Sequence, residues 1–88
     1  MSLTVKRFSA SWCQPCRQLA PIMESVSKEF PDVTFQTIDV DENKMTAQTY
    51  GIRSVPTVVF ERNGVEISRF SGVRPAGTLT QLINEAKG

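Results

Sequence analysis

Residues 11–17 read SWCQPCR and hold both cysteines of the chain, Cys13 and Cys16. Residues 3–8 precede them and are rich in β-branched and aromatic residues, which predicts a strand. After them, apolar side chains recur at the spacing of one helical face: Leu19, Ile22, Met23, Val26 and Phe30. This stripe predicts a helix of about four turns that ends before Pro31 and is kinked at Pro21. The two cysteines therefore lie where a strand leads into the first turn of a helix.

The next segment repeats the alternation of strand and helix. Residues 33–40 predict a second strand, which a right-handed crossover places parallel to the first. A helix is predicted over residues 42–50, with Asp41 as a candidate N-cap and Gly51 just past its end.

The last third of the chain predicts a hairpin followed by a helix. Asn63-Gly64 separates apolar runs at 57–61 and 65–71, which is typical of two antiparallel strands joined by a tight turn. Pro75 opens a helix whose apolar face is formed by Leu79, Leu82, Ile83 and Ala86. The order β-α-β-α-β-β-α predicts an α/β fold, a mixed four-stranded sheet with helices on both faces.

Composition narrows the classes of function. The 88 residues fit one domain, 1–88, and the ten basic residues are scattered, with a formal net charge of +1, so no nucleic-acid surface is predicted. No apolar stretch is long enough to span a bilayer, and the N-terminus lacks a secretory pattern, so the expected location is cytoplasmic, with no membrane contact. Histidine is absent, which excludes a Cys–His catalytic pair and a Cys/His zinc site within one chain. We therefore expect no metal and no cofactor.

The spacing of the two cysteines suits a reversible disulfide. In a helix it separates the two Cα atoms by about 5 Å, within the range that a disulfide accepts, and so short a loop adds little stability. The helix start offers free N–H groups and a partial positive charge, which favour a thiolate at Cys13. Cys13 is the candidate nucleophile, and Cys16, expected to be the more buried, is the candidate resolving residue. Two buried cysteines without chemistry, or a cluster shared between two chains, stay open as alternatives.

A longer set of motifs gives the chain a family resemblance. The segments are FSASWCQPC at 8–16, IDVD at 38–41, YGIRSVPT at 50–57, Asn63-Gly64, and SGV at 71–73. In this order and spacing they resemble the thioredoxin family over nearly the whole chain. The resemblance implies a thiol–disulfide oxidoreductase that reduces protein disulfides. It also implies thioredoxin reductase as the electron source and proteins such as ribonucleotide reductase as substrates, while a monomer is the default expectation.

The resemblance also implies a docking surface around the sulfurs. Val55-Pro56 is similar to the family's cis-proline site, where the backbone of the residue before proline pairs with an extended substrate chain. Trp12 and the turn of Gly72 and Val73 complete a shallow apolar surface. On the residues alone, Trp12 also suits core packing and Pro56 an ordinary strand-opening proline.

Gln14 and Pro15, which lie between the cysteines, stand where typical thioredoxins have Gly-Pro. The dipeptide at this place tunes the redox poise of the fold, and the retained Pro15 favours a reducing couple.

Other departures from the family pattern bear on the mechanism. The chain starts after the strand and helix that usually open the fold, so one sheet face is expected to be covered only by the helix over 42–50. Arg7 and Thr37 stand where the family commonly has a buried aspartate and a lysine, so that acid–base pair is not carried over. Arg7 points either towards the sulfurs or across the less covered sheet face. We expect the second, because a buried unpaired guanidinium is costly.

Two rival functions remain at this point. A glutaredoxin-like, glutathione-linked reductant would need positive groups near Pro56 and the last helix, and Arg53 and Arg74 are near enough in sequence. A thioredoxin fold retained only as a binding module belongs to a different class, and the two intact cysteines argue against it. Replacing both cysteines by serine separates the redox hypothesis from the binding hypothesis.

Overall fold

An inner strand of the sheet leads directly into the two cysteines. The structure, a computed structural model, describes residues 2–88, and Met1 lies outside this range. The sheet has the order β2-β1-β3-β4. Its strands are β1 (Leu3–Ser9), β2 (Thr34–Asp39), β3 (Thr57–Arg62) and β4 (Val65–Ser71). β1 pairs parallel with β2 and antiparallel with β3, which pairs antiparallel with β4, so the predicted mixed four-stranded sheet is confirmed.

Helices cover both faces of this sheet. They are α1 (Gln14–Ser27), α2 (Lys44–Thr49) and α3 (Ala76–Lys87). α1 and α3 contact each other on one face, and Tyr50, directly after α2, packs its ring 5.2 Å from that of Phe8 on the other. Within residues 2–88, no helix combines the length and the apolar character needed to cross a bilayer.

The main core lies between β1, β3 and the pair α1 and α3. The apolar stripe predicted for the first helix supplies Leu19 and Val26, both 0 % exposed, and α3 supplies Leu79 and Ile83, also 0 % exposed. These side chains pack on alternate residues of the inner strands, which are Leu3, Val5, Val58 and Phe60. Burial of this kind is the main source of folding free energy in so small a domain.

The first helix is shorter than its apolar stripe predicts. α1 ends at Ser27, whose hydroxyl donates to the carbonyl of Glu24 at 2.7 Å and so competes with the helical hydrogen bonds. Phe30 lies in the following turn and still reaches the core, with 6 % of its surface exposed. α1 runs through Pro21, and the kink there stays a prediction.

The second helix begins later than predicted, and Asp41 is not its N-cap. The Asp39 carboxylate accepts the backbone N–H groups of Asp41 (2.8 Å) and Glu42 (3.1 Å), which holds those residues in a turn. α2 therefore starts at Lys44 with Asn43 in the N-cap position.

A polar cluster of Lys6, Tyr50 and Glu61 fills part of the α2 face. Lys6 Nζ donates to Tyr50 Oη at 2.7 Å and lies 3.0 Å from Glu61 Oε1, while Tyr50 Oη donates to the other carboxylate oxygen. Glu61 is only 6 % exposed, so these two partners replace the water that the carboxylate has lost. The hydrogen bond to Tyr50, followed by Glu61, raises the pKa of Lys6 above its ordinary value against the opposing effect of burial.

We predict that Lys6→Met lowers the free energy of unfolding by about 1–3 kcal/mol at pH 7, because it leaves a buried carboxylate with one partner fewer. Since the folded-state pKa of Lys6 is raised above 10.5, this contribution is fully present at neutral pH and is lost as pH rises through that raised value. Urea unfolding at neutral and alkaline pH measures both effects.

Lys87→Met is the matched control, because Lys87 makes an ion pair at 2.9 Å with the exposed Asp32. An exposed pair contributes less than a buried one. If Lys6→Met destabilised the protein no more than Lys87→Met, the role given to the Lys6 cluster would be wrong.

Candidate functional site

The two cysteines occupy the N-terminus of α1 and are joined as a disulfide. Cys13 is the N-cap, and its Sγ accepts the backbone N–H of Cys16 at 3.2 Å. Pro15 lies in the first helical turn, where its missing N–H removes no helical hydrogen bond. The Cα atoms of the pair are 5.3 Å apart, in agreement with the spacing argument.

Both sulfur-bearing residues are nearly enclosed. Cys13 is 4 % exposed and Cys16 2 %, so the predicted difference in exposure has the expected direction but is small in the disulfide form. Together with Ala10 they form a small apolar cluster, against which Val40 and Val55 pack. This cluster is separate from the main core and lies at the end of β1.

The segment Val55–Pro56 closes over the pair from the other side. The peptide bond between these residues is cis, and the Val55 carbonyl oxygen lies 3.5 Å from Cys13 Sγ. Gly72 donates its N–H to the Pro56 carbonyl at 2.9 Å and has φ of +90°, a conformation that favours glycine. The turn after β4 is thereby held beside Pro56, while Val73 packs against the main core.

Trp12 lies on the surface and not in the core. It is 68 % exposed, and its Nε1 donates to Asp41 Oδ2 at 2.8 Å. Its ring forms one wall of an apolar cavity of about 170 Å³, which Val40, Ile52 and Val55 also line. Gln14 and Pro15 are exposed on the first turn of α1, next to the pair. The docking residues implied by the family resemblance therefore surround the disulfide, with Val73 placed partly in the core.

Arg7 lies on the α1 face of the sheet, so the expectation that it crosses the opposite face is wrong. Alternation along β1 directs Val5 and Arg7 to the α1 face, and Lys6 takes the position on the other face. Arg7 Nη2 donates to Thr37 Oγ1 at 2.9 Å, which gives the guanidinium a partner in place of water. Burial lowers the pKa of Arg7 from its ordinary value, and the nearby Glu24 partly offsets this.

A cleft of about 380 Å³ joins Arg7 to the resolving side of the disulfide, because Arg7, Thr37 and Cys16 all line it. Arg53 lines the separate cavity beside Trp12, and the Arg74 guanidinium lies 4.8 Å from the centre of the Phe70 ring. Of the two arginines considered for glutathione binding, one therefore lines a cavity and the other lies against an aromatic ring. In residues 2–88, no three histidine, cysteine, aspartate or glutamate side chains are grouped to hold a metal ion.

Three features of the site were not predicted from sequence. The bond from Trp12 to Asp41 joins positions 29 apart and has no spacing signal. Val40 and Ile52 complete the apolar cavity from two different loops. The position of Arg7 on the cleft that Cys16 also lines had a signal, the period of two along β1 that includes the apolar Leu3 and Val5.

The arrangement is suited to exchange between thiols and disulfides. A cysteine at a helix N-cap, with its sulfur already accepting a backbone N–H, is in the setting that stabilises a thiolate. Its partner, one turn later, is close enough to form or release the disulfide with little movement of the backbone.

The comparisons with known proteins agree with this chemistry. The family model described as Thioredoxin matches residues 2–85. A thioredoxin of Chlamydia pneumoniae is 42 % identical over 83 residues, which are 94 % of this chain and 81 % of that protein. A thioredoxin of Geodia cydonium is 45 % identical over 76 residues, 85 % of this chain and 72 % of the relative.

Solved structures show the same relationship. The structure of Fasciola hepatica thioredoxin has a TM-score of 0.90 and 41 % identity, and covers 97 % of this chain and 81 % of its own. A mutant thioredoxin from Halobacterium salinarum has a TM-score of 0.92 and 33 % identity, with 99 % and 76 % covered. Because the match covers the fold, the sequence and the cysteine pair together, the chain belongs to the thioredoxin family and is a thiol–disulfide oxidoreductase that reduces protein disulfides.

Proposed function

We propose that Cys13 is the nucleophile and Cys16 the resolving residue of this reductase. The observation that supports these roles is the hydrogen bond from the Cys16 amide to Cys13 Sγ, because it stabilises negative charge on the first sulfur. Cys13 is the N-cap and adjoins Trp12, whereas Cys16 lies within the helix, so in this proposal an incoming protein disulfide meets Cys13 first.

The exchange then proceeds in two steps. The Cys13 thiolate attacks one sulfur of the substrate disulfide, forms a mixed disulfide and releases the other substrate sulfur as a thiolate. Cys16 loses its proton and attacks Cys13 Sγ, which forms the disulfide within the protein and frees the second substrate thiol. Two electrons pass from the protein to the substrate, and the Cys13–Cys16 disulfide awaits reduction.

The substrate chain is proposed to dock on the surface formed by Trp12, Gln14, Pro15, Val55, Pro56, Gly72 and Val73. Within residues 2–88, no backbone hydrogen bond uses the Val55 N–H, so this group is available to pair with an extended chain. The apolar cavity beside Trp12 would hold a side chain of that segment.

Partners follow from the family in general terms: a reductase that restores the dithiol, and proteins that carry disulfides. More specifically, we infer thioredoxin reductase as the electron source and ribonucleotide reductase as one substrate, with the protein acting as a monomer in the cytoplasm. Recharging by glutathione is the alternative that a reconstituted assay with purified reductase and NADPH would exclude or support.

Single substitutions should separate the roles of the two cysteines. We predict that Cys16→Ser accumulates a mixed disulfide with a protein substrate, because nothing resolves the bond at Cys13. Cys13→Ser should form no such adduct, and non-reducing electrophoresis with mass spectrometry of the adduct measures both results.

The variant Cys13→Ser/Cys16→Ser is the control for a function without redox chemistry. It should have no reductase activity while keeping its circular dichroism spectrum. An adduct formed through Cys16 in Cys13→Ser, at the rate of the Cys16→Ser adduct, would reverse the assignment.

Trp12→Ala should weaken docking without weakening the fold. We predict that KM for a protein disulfide rises about tenfold, the effect of losing an aromatic contact at an interface. The reduction of a small disulfide and the melting temperature should hardly change, because Trp12 is 68 % exposed.

Met45→Ala is the matched control, since Met45 is 81 % exposed and does not line the Trp12 cavity. It should leave KM unchanged. Equal effects of the two substitutions, or a rise in KM for small and protein disulfides alike, would show that Trp12 is not part of a docking surface.

A further inference from the structure

None of the residues proposed to dock the substrate lines the cleft that Cys16 shares with Arg7. This cleft is separate from the Trp12 cavity, and its charged walls are Arg7 from β1, Arg17 from α1 and Asp39 from the end of β2. Any proton that leaves the Cys16 thiol into this cleft does so in the field of these groups.

The three charged groups differ in the hydrogen bonds that they already make. Asp39 Oδ1 accepts two backbone N–H groups, from Asp41 and Glu42. Arg17 is exposed, and its guanidinium donates to the carbonyl of Ser11 at 2.9 Å. The carboxylate is thus held as a turn acceptor, and one of the two cations is fixed at the cleft rim.

Arg7 is the cation that is both partly buried and little engaged. A guanidinium has five N–H donors, and within residues 2–88 the structure gives Arg7 one hydrogen bond, to Thr37. Burial disfavours its charged form and lowers its pKa, and Glu24 of α1 is the charge that opposes this effect. A partly desolvated cation gains most from an anion that forms in the same cleft.

We propose that Arg7 is a positioning residue that stabilises the Cys16 thiolate through space during the second step of the exchange. This inference rests on the proposed roles of Cys13 and Cys16. In the mixed disulfide, the Cys16 thiol gives its proton to water in the cleft, and the resulting thiolate attacks Cys13 Sγ. The bond between Cys13 and the substrate sulfur breaks, and the departing substrate thiolate takes a proton from solvent.

Asp39 also lines the cleft, but its Oδ1 already accepts two backbone N–H groups, so water is the proton acceptor in this proposal. The Arg7 guanidinium cannot accept the proton, since it stays protonated. The guanidinium lowers the free energy needed to form the Cys16 thiolate, and water accepts the proton. The rate of the resolving step should consequently follow the ionisation of the Cys16 thiol as pH rises. The midpoint of this dependence should shift when the charge of Arg7 is removed.

The experiment titrates Cys16 in the Cys13→Ser protein, where it is the only thiol. Thiolate absorbance and the rate of alkylation are followed against pH with and without Arg7→Met. We expect the midpoint to move to higher pH, with the thiolate fraction at pH 7 reduced about tenfold, the size typical of a nearby opposite charge. Arg7→Lys should restore the original profile, because it keeps the charge.

Lys28→Met is the matched control for net charge. Lys28 is exposed at the other end of α1, twelve residues from Cys16, which is about 18 Å along the helix and beyond the screening length of about 8 Å at physiological salt. Its profile should coincide with that of the parent. If Arg7→Met fails to fold, Arg7→Gln takes its place, since glutamine can keep a hydrogen bond to Thr37.

A titration unchanged by Arg7→Met or Arg7→Gln overturns the inference, as does an effect that Arg7→Lys reproduces. In either case the unmodified protein would still reduce protein disulfides through Cys13 and Cys16. Loss of that activity in the unmodified protein would instead remove the proposed function itself, so the two failures are distinguishable.

Discussion

The site depends on one hydrogen bond, from the Cys16 amide to Cys13 Sγ across the first turn of α1. It turns a helix N-terminus, which must satisfy its free N–H groups, into a place where a sulfur anion is favoured. The bond exists only because Cys13 is the N-cap. Cys13 takes this position because β1 ends at Ser9 and the Ala10 carbonyl then accepts the backbone N–H of Cys13. The residue at which the inner strand β1 ends therefore determines the position of the reactive cysteine.

The remaining elements hold this turn and cover it. α1 is fixed to the sheet by fully buried side chains such as Leu19 and Val26, which pack with α3 against β1 and β3. On the opposite side, the Pro56 carbonyl binds Gly72, and this link keeps the Val55 backbone beside Cys13. Trp12 and Val55 line one cavity at the site, while Cys16 lines the cleft that also contains Arg7.

Much of this was predictable from sequence, for identifiable reasons. The first two strands follow from their β-branched and aromatic residues, and the helix faces and the cysteine pair follow from periodicity and spacing, all of which are local properties. The end of α1 and the start of α2 were misplaced because single hydrogen bonds decide them, from Ser27 to Glu24 and from two backbone amides to Asp39. The hydrogen bond from Trp12 to Asp41 joins segments that are far apart in sequence, and neither segment contains a pattern that predicts it.

Arg7 shows how two physical arguments compete. The cost of burying a guanidinium favours the open side of the sheet, but the period of the strand directs the side chain to the face that Val5 shares. The strand period prevails because Thr37 supplies a hydrogen bond and the cleft leaves the guanidinium partly in water. A sequence reading that gives the period more weight than the desolvation cost would place Arg7 correctly.

Every role proposed for the site requires that Cys13 and Cys16 form a reversible, reducing couple. The most direct test is equilibration of the protein with graded ratios of reduced and oxidised dithiothreitol or glutathione, followed by the fluorescence of Trp12, the only tryptophan. We expect a two-electron couple with a potential closer to the value of about −270 mV typical of thioredoxin than to the range of about −230 to −200 mV typical of glutaredoxins. A potential of about −200 mV or above, or a change that does not follow a two-electron equilibrium, would contradict it.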